Sequence, residues 1–111
     1  MIDLERVKDI HLYTKAVDMR MGMNKIEMLL SLSFSPLEIL HSVFIFISKS
    51  KRQLKIYYED EYGKWLLINK LSYTVYVIPD LEKRLTLSKA DLEHLLKGVA
   101  MIRMREKMIS A

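Results

Sequence analysis

The sequence predicts an α+β domain, in which an antiparallel sheet of about four to five strands carries two main helices on its faces. Three strand-like runs separated by polar turns follow one another between residues 43 and 71, and such a succession is typical of a β-meander. Hydrophobic residues at helical spacing occur on either side of this region, over residues 19–32 and 88–99.

The N-terminal segment is predicted to hold a loose arm and the first strand. Residues 1–8 are polar and have no clear period, so we expect an arm there. Residues 9–17 contain Ile10, Leu12 and Tyr13, a pattern that favours a strand.

The first helix is expected to begin after Asp18, whose carboxylate can accept a backbone N–H of the first turn. Met23, Ile26 and Leu30 fall at i, i+3 and i+7, so they share one face of that helix. Gly22 lies in the first turn, where glycine costs about 1 kcal/mol relative to alanine. We therefore expect another part of the chain to pack closely against its backbone.

Shorter elements are predicted around the meander. Residues 35–38 (Ser-Pro-Leu-Glu) have the form of a capping box with proline at the first helical position, which indicates one helical turn. Residues 74–78 form a β-like run that Pro79 ends, and residues 85–87 can add a short strand.

The clearest helix is predicted to begin at Ser88, with Asp91 three residues further on as its capping partner. Four apolar residues at helical spacing are expected to face the core: Leu92, Leu95, Leu96 and Val99. Gly98 is the expected end, and residues 100–111 form a tail that either continues the helix or frays.

Length and composition indicate a single domain over residues 1–111. The chain has no cysteine, which excludes disulfides, thiolate zinc sites and thiol catalysis. Its apolar stretches are far shorter than the roughly 20 residues of a membrane span, and its start lacks the form of a signal peptide. We therefore expect a cytoplasmic protein without a membrane partner. The net charge of +4 is mildly basic.

A cluster of basic residues marks the first turn of the meander, about residues 48–53, which we expect to be exposed. Its members are Lys49, Lys51, Arg52 and Lys55. Cations in such a turn can neutralise phosphates, so DNA is the expected partner. Lys70 at the far end of the sheet and Arg20 beside Asp18 are the next candidates. The alternatives are a solubilising turn and, for Arg20, a structural ion pair next to a helix cap.

Four aromatic residues lie near this cluster: Tyr57, Tyr58, Tyr62 and Trp65. Such rings can stack on unpaired bases. Packing between neighbouring strands is the commoner use of aromatic residues in a sheet, and we favour it here.

The sequence shows no constellation of catalytic residues. The acidic residues 59–61 are consecutive in one turn, whereas a magnesium site needs carboxylates that converge from separate elements. His11, His41 and His94 match no ligand spacing, and the three glycines form no phosphate loop. We therefore predict no metal, no cofactor and no enzymatic activity.

The order of these features resembles a known family. Val17-Asp18-Met19-Arg20-x-Gly22 resembles its (Thr/Val)-Asp-Met-Arg-Lys-Gly signature, which follows a short strand. Residues 44–58 resemble its Phe-Val-Phe…Arg-Asp-Arg-Leu-Lys segment, and residues 85–98 resemble its Leu-Thr…Leu-Leu-x-Gly ending. The family is the TnpB-type small accessory proteins of the insertion sequence 66 group of bacterial transposons, and the resemblance covers about residues 9–99.

The resemblance implies a helper in DNA transposition whose partner is a larger transposase that bears the catalytic site. We therefore expect a non-catalytic accessory factor that contacts the DNA backbone or the transposase complex. The alternative is a protein–protein adaptor without DNA affinity, which would act through the apolar sheet face or the tail. A small metal-dependent nuclease is the least favoured class.

Overall fold

A computed structural model describes residues 3–72, 75–76 and 84–96. In chain order its elements are β1 (Ile10–Tyr13), α1 (Met23–Ser31), α2 (Pro36–Ile39), β2 (Val43–Ile47), β3 (Gln53–Asp60), β4 (Gly63–Lys70), β5 (Arg84–Thr86) and α3 (Lys89–Leu96). The predicted α+β class is confirmed. Within the described residues no helix is both long and apolar enough to cross a membrane.

The described strands form a five-stranded sheet in the order β4-β3-β2-β1-β5. β2, β3 and β4 pair antiparallel, which confirms the predicted meander. β1 pairs parallel to β2, so the sheet is mixed, whereas the sequence predicted an antiparallel one. The reason is the connection that holds α1 and α2, because a crossover of this length returns the chain to the end of the sheet where it started.

The core has two sides because the central strands are covered on both faces. All five residues of β2 are buried. On one face, Ile45 belongs to a cluster with Leu92 and Leu95 of α3. Phe44 and Phe46 project from the opposite face into a second cluster with residues of α1 and α2. The result is a sheet between two helical layers.

The first helix differs from the prediction at its start. α1 begins at Met23, and its N-cap is Gly22, which makes no side-chain capping hydrogen bond. Asp18 instead accepts a hydrogen bond from the backbone N–H of Arg20 at 2.9 Å. A Cβ added at Gly22 would meet no atom within 4 Å, so the expected close packing against this glycine is wrong.

The caps of the other two helices are confirmed. In α2 the Ser35 hydroxyl accepts the Glu38 N–H while the Glu38 carboxylate accepts the Ser35 N–H. The Asp91 N–H donates to Ser88 Oγ at 3.0 Å, and the Ser88 N–H donates to Asp91 Oδ2 at 3.2 Å.

The core face of α3 is narrower than predicted. Leu92 and Leu95 are fully buried, as expected, but Leu96 is 42% exposed. Leu96 follows Leu95 by about 100° around the helix, which turns it away from the sheet. Val99 and the tail lie outside the described residues.

Three further segments complete the comparison with the sequence prediction. β5 confirms the predicted short strand. The run 74–78 lies mostly outside the described residues, and its described positions 75–76 are not in a strand. Residues 4–6 form a turn and Val7 is buried, so the described part of the expected arm packs on the domain.

Candidate nucleic-acid interface

The turn between β2 and β3, residues 48–52, is ordered by two serine hydroxyls. Ser48 Oγ accepts the Gln53 N–H at 3.1 Å and lies 3.1 Å from Ser50 Oγ. The Lys51 N–H donates to the Ser48 carbonyl at 3.0 Å, and Lys51 has the left-handed φ of 63°. Lys49 and Arg52 are exposed and Lys51 is half-buried, so the turn presents cations as the sequence predicted.

Lys70 lies beside this turn, and the expectation that it occupies the far end of the sheet is wrong. It pairs with Gln53 across the β3–β4 ladder, and the Leu71 N–H donates to the Arg52 carbonyl at 2.7 Å. The physical reason is the antiparallel pairing, which brings the end of β4 back to the start of β3.

Two basic residues that the sequence analysis missed join the same end of the sheet. Lys15 follows the end of β1, and Arg84 opens β5 opposite Tyr13. These basic residues lie at or just beyond the strand ends along one edge of the domain, and we call this surface the cationic end. Its members are Lys15, Lys49, Lys51, Arg52, Lys70 and Arg84. Strands in a sheet are about 4.8 Å apart, so the four spacings from β4 to β5 cover about 19 Å.

Three consecutive acidic residues occupy the opposite end of the sheet. Glu59, Asp60 and Glu61 lie at the turn between β3 and β4, where Asp60 Oδ1 accepts the N–H groups of Tyr62 and Gly63 at 2.9 and 3.0 Å. Glu61 pairs with Arg6 and with His41 Nε2. The basic turn of residues 48–52 and this acidic turn therefore lie at opposite ends of β3, whose eight residues span about 26 Å.

Arg20 lies in the loop between β1 and α1 and forms a forked ion pair with Asp18. Arg20 Nη2 donates to Asp18 Oδ2 at 2.8 Å, and Nε donates to Oδ1 at 3.1 Å. The Arg20 side chain is 91% exposed. Its hydrogen bonds, with the backbone N–H of the same residue, lower the pKa of Asp18 to about 2. The ion pair is thus present, whereas the expected helix cap is not.

Lys55 is buried and does not belong to the turn, which corrects the sequence-based grouping of four cations. It is the third residue of β3, is 5% exposed, and pairs with Phe46 and Ile68 on the neighbouring strands. Its ammonium donates to the carbonyl oxygen of Met21 at 2.7 Å. The alternation of β3 points this side chain toward the α1 layer, so its ammonium meets the loop between β1 and α1 and not the solvent at the turn.

The aromatic residues of the meander do not lie on the same surface as the cations. Tyr57 and Tyr58 are 1% exposed, and burial raises the pKa of Tyr57 far above its usual range. Tyr62 is 82% exposed, but it lies in the acidic turn. Trp65 is 40% exposed and sits opposite Tyr58 near the same turn. Tyr57 and Tyr58 therefore pack between strands as expected, and the exposed Tyr62 and Trp65 lie at the end of the sheet opposite the basic turn.

A groove of about 720 Å³ opens beside the cationic end. Its apolar wall comes from Val17, Leu29 and Leu32, and its polar wall includes Lys15 and Arg84. The Arg84 guanidinium also lies 4.8 Å from the centre of the Phe34 ring.

The three histidines do not form a metal site with acidic residues of the described part of the chain. Among residues 3–72, 75–76 and 84–96, no group of three His, Asp or Glu side chains has the arrangement of a metal site. His11 packs between Phe34 and Phe44 at centroid distances of 5.1 Å. Its Nδ1 is buried, and within the described residues it has no hydrogen-bond partner.

The buried position of His11 predicts a loss of stability in mild acid. Burial first, and then the charge of Arg84, lower the pKa of His11 below its usual 6.5, although Asp9 acts in the opposite direction. The unfolded chain therefore takes up the proton at higher pH than the folded chain does. The free energy of unfolding is expected to be constant above about pH 6.5 and to fall below it, by at most about 1.4 kcal/mol per pH unit.

Urea titrations at pH 7.5, 6.5 and 5.5 check this expectation. His11→Phe keeps the aromatic packing and removes the titrating group, so its loss between pH 7.5 and 5.5 should be smaller than that of the wild type. Equal losses in the two proteins would show that another group titrates. The comparison also subtracts the contribution of every other titratable group, since the two proteins share all of them.

Comparison with known families supports the resemblance drawn from the sequence. Residues 8–106 match the model of the family described as IS66 Orf2 like protein. No curated protein and no solved structure shows a significant similarity to the chain. The match spans most of the sequence, including the Asp18–Gly22 motif, the meander and α3. The chain therefore belongs to the IS66 Orf2 like family, the TnpB-type accessory proteins of insertion-sequence transposition.

Proposed function

We propose that the chain is a non-catalytic accessory factor of transposition that contacts the phosphate backbone of DNA through its cationic end. The observation that carries the proposal is the alignment of basic residues from five strand ends, well separated from the acidic turn. Lys49, Lys51, Arg52 and Lys70 are the principal contacts, with Arg20 and Arg84 beside them. A larger transposase of the same element is the proposed protein partner.

The width of the cationic end fits a nucleic-acid backbone. A row of about 19 Å allows several phosphates to be met at once, and each neutralised phosphate releases counterions. Phosphate contacts position a protein on DNA without reading its bases. Binding through this surface should therefore depend strongly on salt and weakly on sequence.

The proposed absence of catalysis rests on the arrangement of the acidic residues. The Asp60 carboxylate accepts hydrogen bonds from backbone N–H groups of its own turn, and Glu61 forms ion pairs with Arg6 and His41. Asp18 forms an ion pair with Arg20. In this family the transposase, as a separate protein, is the proposed bearer of the strand-transfer chemistry.

A protein–protein adaptor is the second candidate, and exposed apolar residues on the helical layer favour it. Met28 of α1 and the C-cap residue Leu32 are 69% and 83% exposed, and Leu37 of α2 is 77% exposed. Side chains of this size act as anchors when a partner covers them. Binding through them would change little with salt.

A binding titration at three salt concentrations separates the two candidates. Lys51→Ala/Arg52→Ala is compared with wild type on two unrelated duplexes, using fluorescence anisotropy. We expect weaker binding to both duplexes by similar factors, and a slope of log affinity against log salt that is flatter by about 1.8, or about 0.9 for each lost contact.

The matched control is Lys8→Ala/Lys89→Ala, which removes the same charge away from the cationic end. Both lysines lie near the other end of the sheet. The Lys8 N–H donates to the His41 carbonyl, just before β2. Lys89 is the first residue of α3 and follows Leu87, whose N–H donates to the carbonyl of Ile10 at the start of β1. This control should bind nearly as well as wild type. Equal effects of the two pairs, or no salt-dependent binding by the wild type, would reject the DNA proposal and favour the adaptor.

A further inference from the structure

The buried lysine of β3 has an unusual set of neighbours. Lys55 is 5% exposed, and its ammonium donates to the Met21 carbonyl at 2.7 Å. Within the described residues no carboxylate pairs with it. Phe46 and Ile68 flank it on the neighbouring strands. The charge is therefore compensated by one backbone oxygen 34 residues away in the sequence.

Such an arrangement contributes little to stability. An ammonium that is removed from water loses hydration that a single carbonyl restores only in part. An apolar side chain of the same volume at a site of this kind is often as stable or more stable. We therefore expect the role of Lys55 to depend on the segment that its hydrogen bond fixes to the sheet.

The hydrogen bond holds the loop between β1 and α1. This loop also meets the sheet where the Val17 N–H donates to the Ile47 carbonyl at 3.1 Å. Met21 is itself tied back to Asp18, because its N–H donates to the Asp18 carbonyl at 3.0 Å. Arg20 lies between these two residues, and its side chain is 91% exposed.

We infer that Lys55 is a positioning residue that holds this loop against the sheet, so that Arg20 joins the DNA-contact surface next to the turn of residues 48–52. Lys55 does not touch the nucleic acid itself. It acts through the Met21 carbonyl and fixes the Asp18–Arg20 pair relative to the end of β2. The inference rests on the proposed function for its DNA part, and on the loop geometry alone for its structural part.

The first measurement is hydrogen exchange of backbone amides in the free protein. Lys55→Met keeps an unbranched side chain of nearly the same length and removes the ammonium. We expect exchange at the Val17 and Met21 amides to speed up by about tenfold or more, while the amides of the β2–β3 ladder keep their rates. Lys55→Leu is a second apolar replacement that serves if the methionine variant does not fold. Unchanged exchange in the loop overturns the inference.

The second measurement is a double-mutant cycle on duplex DNA. Arg20→Ala should weaken binding several-fold in the wild-type background and less than twofold in the Lys55→Met background, since an unheld Arg20 contributes little. Lys51→Ala is the control, because it should weaken binding by the same factor in both backgrounds. Equal losses from Arg20→Ala in the two backgrounds overturn the positioning role.

The two measurements keep the inference separate from the proposed function. If wild-type protein shows no DNA binding, the proposed function fails, and the exchange rates then decide whether Lys55 holds the loop. If wild-type protein binds DNA but the cycle shows no coupling, the proposed function survives and the role of Lys55 is rejected.

Discussion

Replacement of Leu95 by alanine is expected to lower the free energy of unfolding by about 2–5 kcal/mol. Leu95 is 0% exposed and belongs to the cluster that joins α3 to β2 and β3. Removal of its side chain leaves a cavity between the helix and the sheet, and the rigid strands on the other side cannot close it. Urea unfolding followed by circular dichroism measures the loss.

Leu96→Ala is the matched control for this substitution. Leu96 is the neighbouring residue of the same helix, has the same side chain and is 42% exposed. The change should cost less than about 1 kcal/mol, as substitutions away from the core usually do. Similar losses for the two variants would mean that α3 packs through a different face.

Removal of the four principal cations is expected to abolish most of the salt dependence of DNA binding. With about 0.9 per phosphate contact, Lys49, Lys51, Arg52 and Lys70 together contribute about 3.6 to the slope of log affinity against log salt. Wild-type affinity should then fall by about 150-fold or more between about 50 and about 200 mM salt. The variant with alanine at all four positions should keep only the dependence due to Arg20 and Arg84, a slope of about 1.8 or a change of about 12-fold over the same range.

The fold should survive this change, because exposed cations contribute little to stability. Alanine at position 51 adds no backbone strain, since alanine and lysine carry the same Cβ at the left-handed φ of 63°. The control with equal net charge has alanine at Arg6, Lys8, Lys64 and Lys89, away from the cationic end. A control that loses as much salt dependence as the test variant would show that net charge, and not the cationic end, drives binding.

The elements with local signals could be predicted from the sequence. The capping box of residues 35–38 and the Ser88–Asp91 cap each depend on residues within one turn, so the sequence contains the whole interaction. The meander was predictable for a similar reason, since its strands follow one another and its turns are short.

The features that depend on distant parts of the chain could not be predicted. Alternation within β3 does not reveal that both faces of the strand are covered, and for that reason Lys55 was grouped with the exposed cations. The parallel pairing of β1 with β2 places Lys15 and Arg84 beside the turn, and no local pattern indicates that pairing. The cationic end as a whole is a product of strand order.

The separation of charge along β3 also governs how the molecule approaches a polyanion. The proposed DNA contact implies that the field of a polyanion attracts the basic turn and repels the acidic turn, which lie about 26 Å apart. Under the proposed function, the protein is expected to arrive with the strand ends of Lys70 and Arg52 leading and the acidic turn trailing. Such an orientation is expected to raise the fraction of productive encounters, and to fade at physiological ionic strength beyond a screening length of about 8 Å.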